Sequence, residues 1–251
     1  MSDKNENPLA VQFDHVSKAF GDKKVLTDVS FQIAAGEAFC LLGRSGIGKS
    51  VTLRLMIGLL KPDRGGILID GTNIVDAATD TLNGVRKTMG FLFQDAALFD
   101  SMSVAENVAF PLRRHTSKPE NEIRSIVAEK LKNVELEKEG NVMPSQLSGG
   151  MRKRAGLARA LALDPKILLV DEPSSGLDRI TASEIYQLLL RLKKTRNVTL
   201  VAVTHDVTGA RAFADKFAVL DRGAIVACGK YSDVEQSNNS LVRELAAGSV
   251  T

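Results

Sequence analysis

Tryptophan is absent, tyrosine occurs twice, and aromatic residues make up 5% of the 251 positions. The core must therefore be built mainly from aliphatic side chains. Two cysteines, Cys40 and Cys228, stand far apart in apolar stretches and do not make a disulfide framework. Both read as buried small apolar side chains in a reducing compartment. Apolar runs are short: none approaches the ~18 residues of a membrane-spanning helix. The longest, around 38–42 and 198–203, have strand length. The amino terminus, Met1-Ser2-Asp3-Lys4-Asn5-Glu6-Asn7-Pro8, is polar and carries acids, unlike a secretion signal. Neither sign of charge dominates. Lysine plus arginine number 33 and aspartate plus glutamate 30, leaving +3, which disfavours a general attraction to nucleic acid. With 44% hydrophobic and 25% charged residues, the chain can build a globular core without a metal or disulfide staple.

Strand-like runs punctuate the sequence. Phe39–Leu42, Ile67–Ile69, Met89–Phe93, Ile167–Val170 and Val198–Val203 are mostly continuous apolar runs. Such strands are buried on both faces, the habit of a parallel sheet covered by helices. Val11 and Phe13, then Phe31 and Ile33, alternate with polar residues and predict half-exposed antiparallel strands near the start. Phe217–Leu220, the turn Asp221-Arg222-Gly223 and Ala224–Val226 predict a hairpin near the end.

Residues 96–163 hold no convincing strand and several helix signals. Ser103 with Glu106 reads as a capping box opening a helix that Pro111 should end or kink. Ser117 with Glu120 repeats the device, followed by Ile123, Ile126, Val127, Lys130, Leu131 and Val134 at helical spacing, with Lys130 the one polar member. A third helix is expected from Gly149 to Leu163. The tail beyond Lys230 is polar around Ser237-Asn238-Asn239-Ser240, then weakly helical from Leu241 to Ala247.

Gly43-Arg44-Ser45-Gly46-Ile47-Gly48-Lys49-Ser50 follows a strand and opens a helical run. Glycines allow the backbone N–H groups to curl around phosphate, and the helix start adds partial positive charge. In that pattern Lys49 reaches the β- and γ-phosphates and the Ser50 hydroxyl ligates Mg²⁺. A glycine-rich turn without ligand is the competing reading. A second strand ends in Asp171-Glu172, and two carboxylates at the end of a buried strand are costly unless a cation or reactant awaits them. Asp171 suits the Mg²⁺ shell through water, and Glu172 suits a general base for the attacking water. Together these segments point to nucleotide hydrolysis.

The discriminating segment is Leu147-Ser148-Gly149-Gly150-Met151, a second anion-binding helix start inside the helical insert. Here the chain resembles the ATP-binding cassette family over nearly its whole length. LSGG matches the family signature, Gln94 its core–insert glutamine, Ser175-Gly176-Leu177-Asp178 its D-loop, His205 its switch histidine, and Phe20 the aromatic stacked on adenine. The resemblance implies an α/β P-loop fold: a mostly parallel sheet, a small antiparallel β subdomain and an all-helical insert. Residues 9–247 would form one nucleotide-binding domain, with a core at about 9–95 and 164–229 and a helical subdomain at about 96–163. Residues 230–251 would be a carboxy-terminal extension.

It further implies ATP and Mg²⁺, with Glu172, His205 and Lys49 catalytic and Ser50, Gln94 and Asp171 at the metal. ATP would contact Phe20, Gly43, Arg44, Ser45, Gly46, Ile47, Gly48, Lys49, Ser50, Val51 and Gln94. Ser148, Gly149, Gly150 and Asp178 would join from a second copy or line the interface with it, so that ATP acts as glue between two subunits. Arg44 and Arg179 stand where the family usually has proline. Arg44 is expected to point to solvent, while Arg179 leaves the D-loop backbone open. The triplet Arg152-Lys153-Arg154 reads as a solvated helix face with one interfacial member.

Three stretches, 106–113, 147–159 and 48–51, are similar to the ATPase subunit of Mce/Mla-type phospholipid transporters; Val51 and Met151 are markers of that branch. The branch implies a homodimer on the cytoplasmic side of the inner membrane, held peripherally by permease subunits of the MlaE type. An Mce-domain protein and a small cytoplasmic subunit of the STAS type would complete the complex, with no role for nucleic acid. Leu98, Phe99 and Met102 are candidates for the docking patch, with core packing the equal alternative. The tail from Lys230 to Thr251 is a candidate contact with the twin subunit. Competing readings are a cassette of another transporter (lipoprotein release or small-solute uptake) and a soluble cassette protein acting on nucleic acid or ribosomes. The latter generally needs two cassettes or a coiled-coil insertion.

Overall fold

Side chains alternate between buried and exposed along Leu9–Phe20 (β1) and Lys23–Ala34 (β2), as expected of a sheet with one covered face. A computed structural model, which describes residues 8–237 and 239–246, pairs these strands antiparallel. The polar amino terminus at 1–7, Asn238 and the end of the extension at 247–251 lie outside the described residues. The chain continues through β3 (Ala38–Leu42), α1 (Lys49–Met56), β4 (Arg64–Ile69), β5 (Thr72–Asn73), α2 (Thr79–Lys87) and β6 (Met89–Leu92). Three helices follow without an intervening strand: α3 (Val104–His115), α4 (Glu120–Asn133) and α5 (Gly149–Ala160). Next come β7 (Ile167–Asp171), α6 (Arg179–Arg196), β8 (Thr199–Thr204), α7 (Val207–Ala210), β9 (Lys216–Asp221) and β10 (Ala224–Gly229). Two short helices, α8 (Tyr231–Glu235) and α9 (Ser240–Ala246), end the described chain.

The larger sheet has the order β10-β9-β3-β8-β7-β6. All neighbours are parallel except the β9–β10 hairpin. Every residue of β3, β6, β7 and β8 is buried, which explains their unbroken apolar character. The smaller sheet, β2-β1-β4-β5, is antiparallel. This corrects one expectation: Ile67–Ile69 belongs to β4 of the small sheet, because Ile67 and Ile69 are buried while Leu68 between them is half exposed. Phe13, Phe31 and Phe39 stack in succession at 4.6 and 5.0 Å between ring centres, joining the two sheets where the chain has few aromatics to spend.

Three local expectations change. Pro111 does not end α3, since the helix runs on to His115. Missing one N–H costs a single backbone bond, and the helix is anchored elsewhere. Its capping box forms as expected, with Glu106 N donating to Ser103 Oγ (3.3 Å) and Ser103 N to Glu106 Oε2 (2.7 Å). Buried Asn107 also binds the backbone of Phe99, Met102 and Ser103. The Ser117–Glu120 box does not form, because α4 starts after Pro119 without a side-chain cap and Glu120 pairs with Arg113 at 2.5 Å. Lys130 is 1% exposed, its side-chain nitrogen 2.6 Å from Asp164 of the α5–β7 turn. Cys40 is buried, but Cys228 is exposed on the edge strand β10.

Asp164 also pairs with Arg196 at 2.7 Å, so loss of the Lys130 charge would not leave it alone, and packing of the stem should dominate. Lys130→Ala is expected to cost about 2–5 kcal/mol, the usual range for emptying a core site, and Lys130→Met less than about 1.5 kcal/mol. Urea unfolding of both variants checks this; equal losses would place the stability in the ion pair instead.

Candidate ATP site

The carboxyl ends of four adjacent strands face one crevice, the place where open parallel sheets bind ligands. The loop after β3 leads to Lys49, β7 ends in Asp171-Glu172, β8 is followed by His205, and β6 is followed two residues later by Gln94. Gly48 precedes α1 at φ 119°, and a Cβ there would lie 2.8 Å from Val25 Cγ1, so both conformation and space require glycine. No side chain caps the start of α1, which leaves its first N–H groups aimed into the loop for an anion.

A cavity of about 420 Å³ is lined by Phe20, Ser45, Gly46, Gly48, Lys49, Ser50, Val51, Gln94, Glu172 and His205, joined by Lys23, Val25 and Ser175. At its floor Lys49 is 5% exposed. Its ammonium donates to the carbonyls of Gly43 (2.8 Å) and Arg44 (3.1 Å) and lies 3.1 Å from Glu172 Oε1. The other Glu172 oxygen is 3.0 Å from His205 Nδ1. Ser50 Oγ donates to Asp171 Oδ1 at 2.8 Å. Burial pushes the Asp171 carboxyl above its usual range, the Ser50 bond opposes this, and the Glu172 charge adds to the rise. A buried carboxylate beside a hydroxyl is a hard-oxygen pair whose charge a small divalent cation would stabilise. Gln94 is exposed at the rim, its amide 3.3 Å from Ser175 Oγ. Phe20 is 47% exposed with Lys18 Nζ 5.5 Å from its ring centre, an open aromatic face over the cavity mouth.

Ser148, Gly149, Gly150 and Asp178 do not line this cavity. They form a second cluster: Ser148 Oγ caps α5 by accepting from Met151 N, and Gly149 and Gly150 pack on Leu177 and Thr181 beside Asp178. Asp178 caps α6 through Ile180 N and Thr181 N, both at 3.0 Å. Arg179 occupies the first helical position, where proline also fits, so the D-loop keeps a regular helix entry.

Two expectations about charged residues change. Arg44 does not simply face solvent but pairs at 2.6 Å with Glu244 of α9, while Gly43 and Ile47 sit behind the loop against each other and Leu220. Of the basic triplet Arg152 alone is exposed. Arg152 donates to Leu147 O, Lys153 is 4% exposed, and Arg154 pairs with Glu135 and Glu184. Leu98 packs against the large hydrophobic cluster. Sequence reasoning missed the role of Lys153 and missed Tyr186, whose hydroxyl joins Ser174 (2.8 Å) to Asp206 (2.9 Å) beside His205. Only Lys153 left a trace: it falls three residues after Gly150 and four before Leu157, on the buried stripe of α5.

The profile of the ABC transporter family matches residues 26–175. Over 240 residues the chain is 46% identical to "Probable ribonucleotide transport ATP-binding protein mkl" of Mycobacterium leprae, covering 96% of this chain and 69% of that protein. It is 42% identical over 244 residues to the "Intermembrane phospholipid transport system ATP-binding protein MlaF" of Haemophilus influenzae, covering 97% and 92%. Among solved structures, a dimeric ATP-binding cassette in a post-hydrolysis state, bound to ADP and phosphate, superposes with a TM-score of 0.81 at 36% identity, covering 88% of this chain and 98% of that one. Nucleotide chemistry suits a crevice built this way, and the relatives extend over nearly the whole chain: it belongs to the ABC transporter family, as an ATP-hydrolysing cassette.

Proposed function

We propose that this cassette drives phospholipid movement between two membranes, as a homodimer held on the cytoplasmic face of the inner membrane by permease subunits. The observation that carries the catalytic part is the placement of Glu172 between Lys49 and His205 at the floor of one crevice. Lys49 neutralises phosphate charge and the α1 N–H groups cradle it. Glu172 takes the proton of the attacking water, and His205 holds both Glu172 and the γ-phosphate. Ser50, Asp171 and Gln94 would hold Mg²⁺, which when bound neutralises charge on the phosphates. Arg44, Ser45 and Val51 complete the loop around ATP, and Phe20 stacks on the base. Ser148, Gly149 and Gly150 stand apart from their own chain's cavity, which supports their serving the site of a second copy, with Asp178 at the interface. The domain division follows: a core at about 9–95 and 164–229, a helical subdomain at about 96–163, and the extension beyond 230.

The phospholipid assignment rests on MlaF, matched over 92% of its own length against 69% for mkl. The ribonucleotide named in the mkl description is the second reading. An Mce-domain protein and a STAS-type subunit belong to the first. With the permease in vesicles, ATP-dependent lipid exchange supports it, and uptake of ribonucleotide without lipid exchange overturns it.

For the permease, the surface beside Gln94 offers a groove of about 1030 Å³ lined by Arg86, Phe93, Phe99, Phe110, Arg114 and Arg159, among others. Phe99 and Phe110 are 42% and 40% exposed with ring centres 4.9 Å apart. Exposed paired aromatics beside cations suit a partner helix with apolar and acidic side chains. Among the described residues no helix is long and apolar enough to cross a membrane.

Three outcomes test these assignments. Glu172→Gln should keep ATP binding and lower turnover by at least about 100-fold, the scale of a lost general base; rapid hydrolysis by this variant removes Glu172 from that role. Lys49→Ala should weaken ATP binding by about 10–100-fold, as expected for a charge-assisted contact worth about 1.5–3 kcal/mol, measured by nucleotide titration. Phe99→Asp should reduce recovery of the permease from detergent-solubilised membranes while sparing ATP binding; an undiminished complex would place the contact elsewhere.

A further inference from the structure

Lys153 is a buried cation that the catalytic scheme leaves unused. It projects from α5, five residues after Ser148, and is 4% exposed. Its ammonium donates to two main-chain carbonyls, that of Gln94 and that of Glu172, the latter at 2.9 Å. Burial holds its ammonium below the usual lysine range, and the carboxylates of Asp95, Asp171 and Glu172 oppose this in part through space.

The Glu172 backbone is strained. Its φ is +44°, a left-handed conformation that is costly for a residue with a Cβ. Glu172 N donates to Val203 O at 2.9 Å, and its carbonyl accepts from Ser175 N at 3.1 Å as well as from Lys153, so both polar groups of this strained residue are tied. That backbone conformation aims the side chain between Lys49 and His205. The same ammonium ties the Gln94 carbonyl, and the Gln94 side chain reaches Ser175.

We propose that Lys153 is a positioning residue that holds Glu172 and Gln94 in register with α5. The proposal rests on the reading of Glu172 as the base given above. Because α5 is one helix with Ser148 at its start and Lys153 in its second turn, the end that meets a second copy and the cation that sets this chain's own glutamate move together. Closure of the pair is thereby transmitted to the hydrolytic geometry through one side chain.

The experiment is steady-state hydrolysis and nucleotide titration on the full chain carrying Lys153→Met, which keeps the stem's bulk and removes the donors. Lys153→Gln is measured in parallel, as a variant that retains an N–H donor if the methionine variant does not fold. The expected result is a fall in kcat of about 10–100-fold, the scale of an ångström-level misplacement, with KM and ATP affinity within about threefold and partial recovery of kcat in Lys153→Gln. In the Glu172→Gln background, Lys153→Met should bring no further loss, since both changes act on one group. A kcat unchanged in Lys153→Met, a loss confined to KM, or a full additional loss in the double variant each overturns the proposal. Turnover surviving in Glu172→Gln alone would instead sink the reading of Glu172 on which it rests.

Discussion

The geometry of the crevice depends on how one carboxylate residue, Glu172, is held. Its two oxygens meet Lys49 and His205, its N–H is spent on β8, and its carbonyl is shared by Lys153 and the Ser175 N–H. Each partner comes from a different element: the phosphate loop after β3, the segment after β8, and α5 of the helical stretch. A left-handed residue with a side chain is costly, and here its polar groups are tied on all sides. A buried anion between a buried ammonium and an imidazole also meets the requirement that buried charge be paired.

Strand order makes this convergence cheap in chain length. β3, β8, β7 and β6 are neighbours in the sheet, so loops from residues as distant as 49 and 205 end within a few ångströms. The antiparallel β1–β2 pair supplies Phe20, Lys23 and Val25 as the outer wall. Val25 also packs against Gly48 and contributes to the demand for glycine there. Gln94, in the loop between β6 and α3, lines the crevice as well, and the same loop, secured by Asn107, presents Phe99 outward. The nucleotide crevice and the aromatic groove therefore share one connecting segment, the residues after β6.

The carboxy-terminal helices are part of this architecture. Val234, Leu241 and Val242 are buried in the large cluster, and Glu244 reaches Arg44 in the phosphate loop. An exposed pair of this kind contributes little to stability. It does place α9 against the nucleotide-binding loop, a contact that local sequence reading could not supply because the two residues are so far apart along the chain.

Much of the site was legible in sequence because each of its parts is a local device. A glycine loop before a helix, two acids ending an apolar run, a histidine after a strand and Ser-Gly-Gly at a helix start all have short-range physical causes. Continuous or alternating apolar runs likewise marked the strands, although Ile67–Ile69 was too short for its alternation to show. What local pattern could not decide was the partner of each charge. Arg44, Lys130 and Lys153 read alike as polar residues, and Pro111 and the Ser117–Glu120 pair read as ordinary helix signals. Only the folded chain determined that Lys153 lies under the crevice and Arg44 against α9, because burial and pairing of a charge depend on what distant segments bring to it. Local sequence thus determined which chemistry is present, and tertiary packing determined which groups hold it in place.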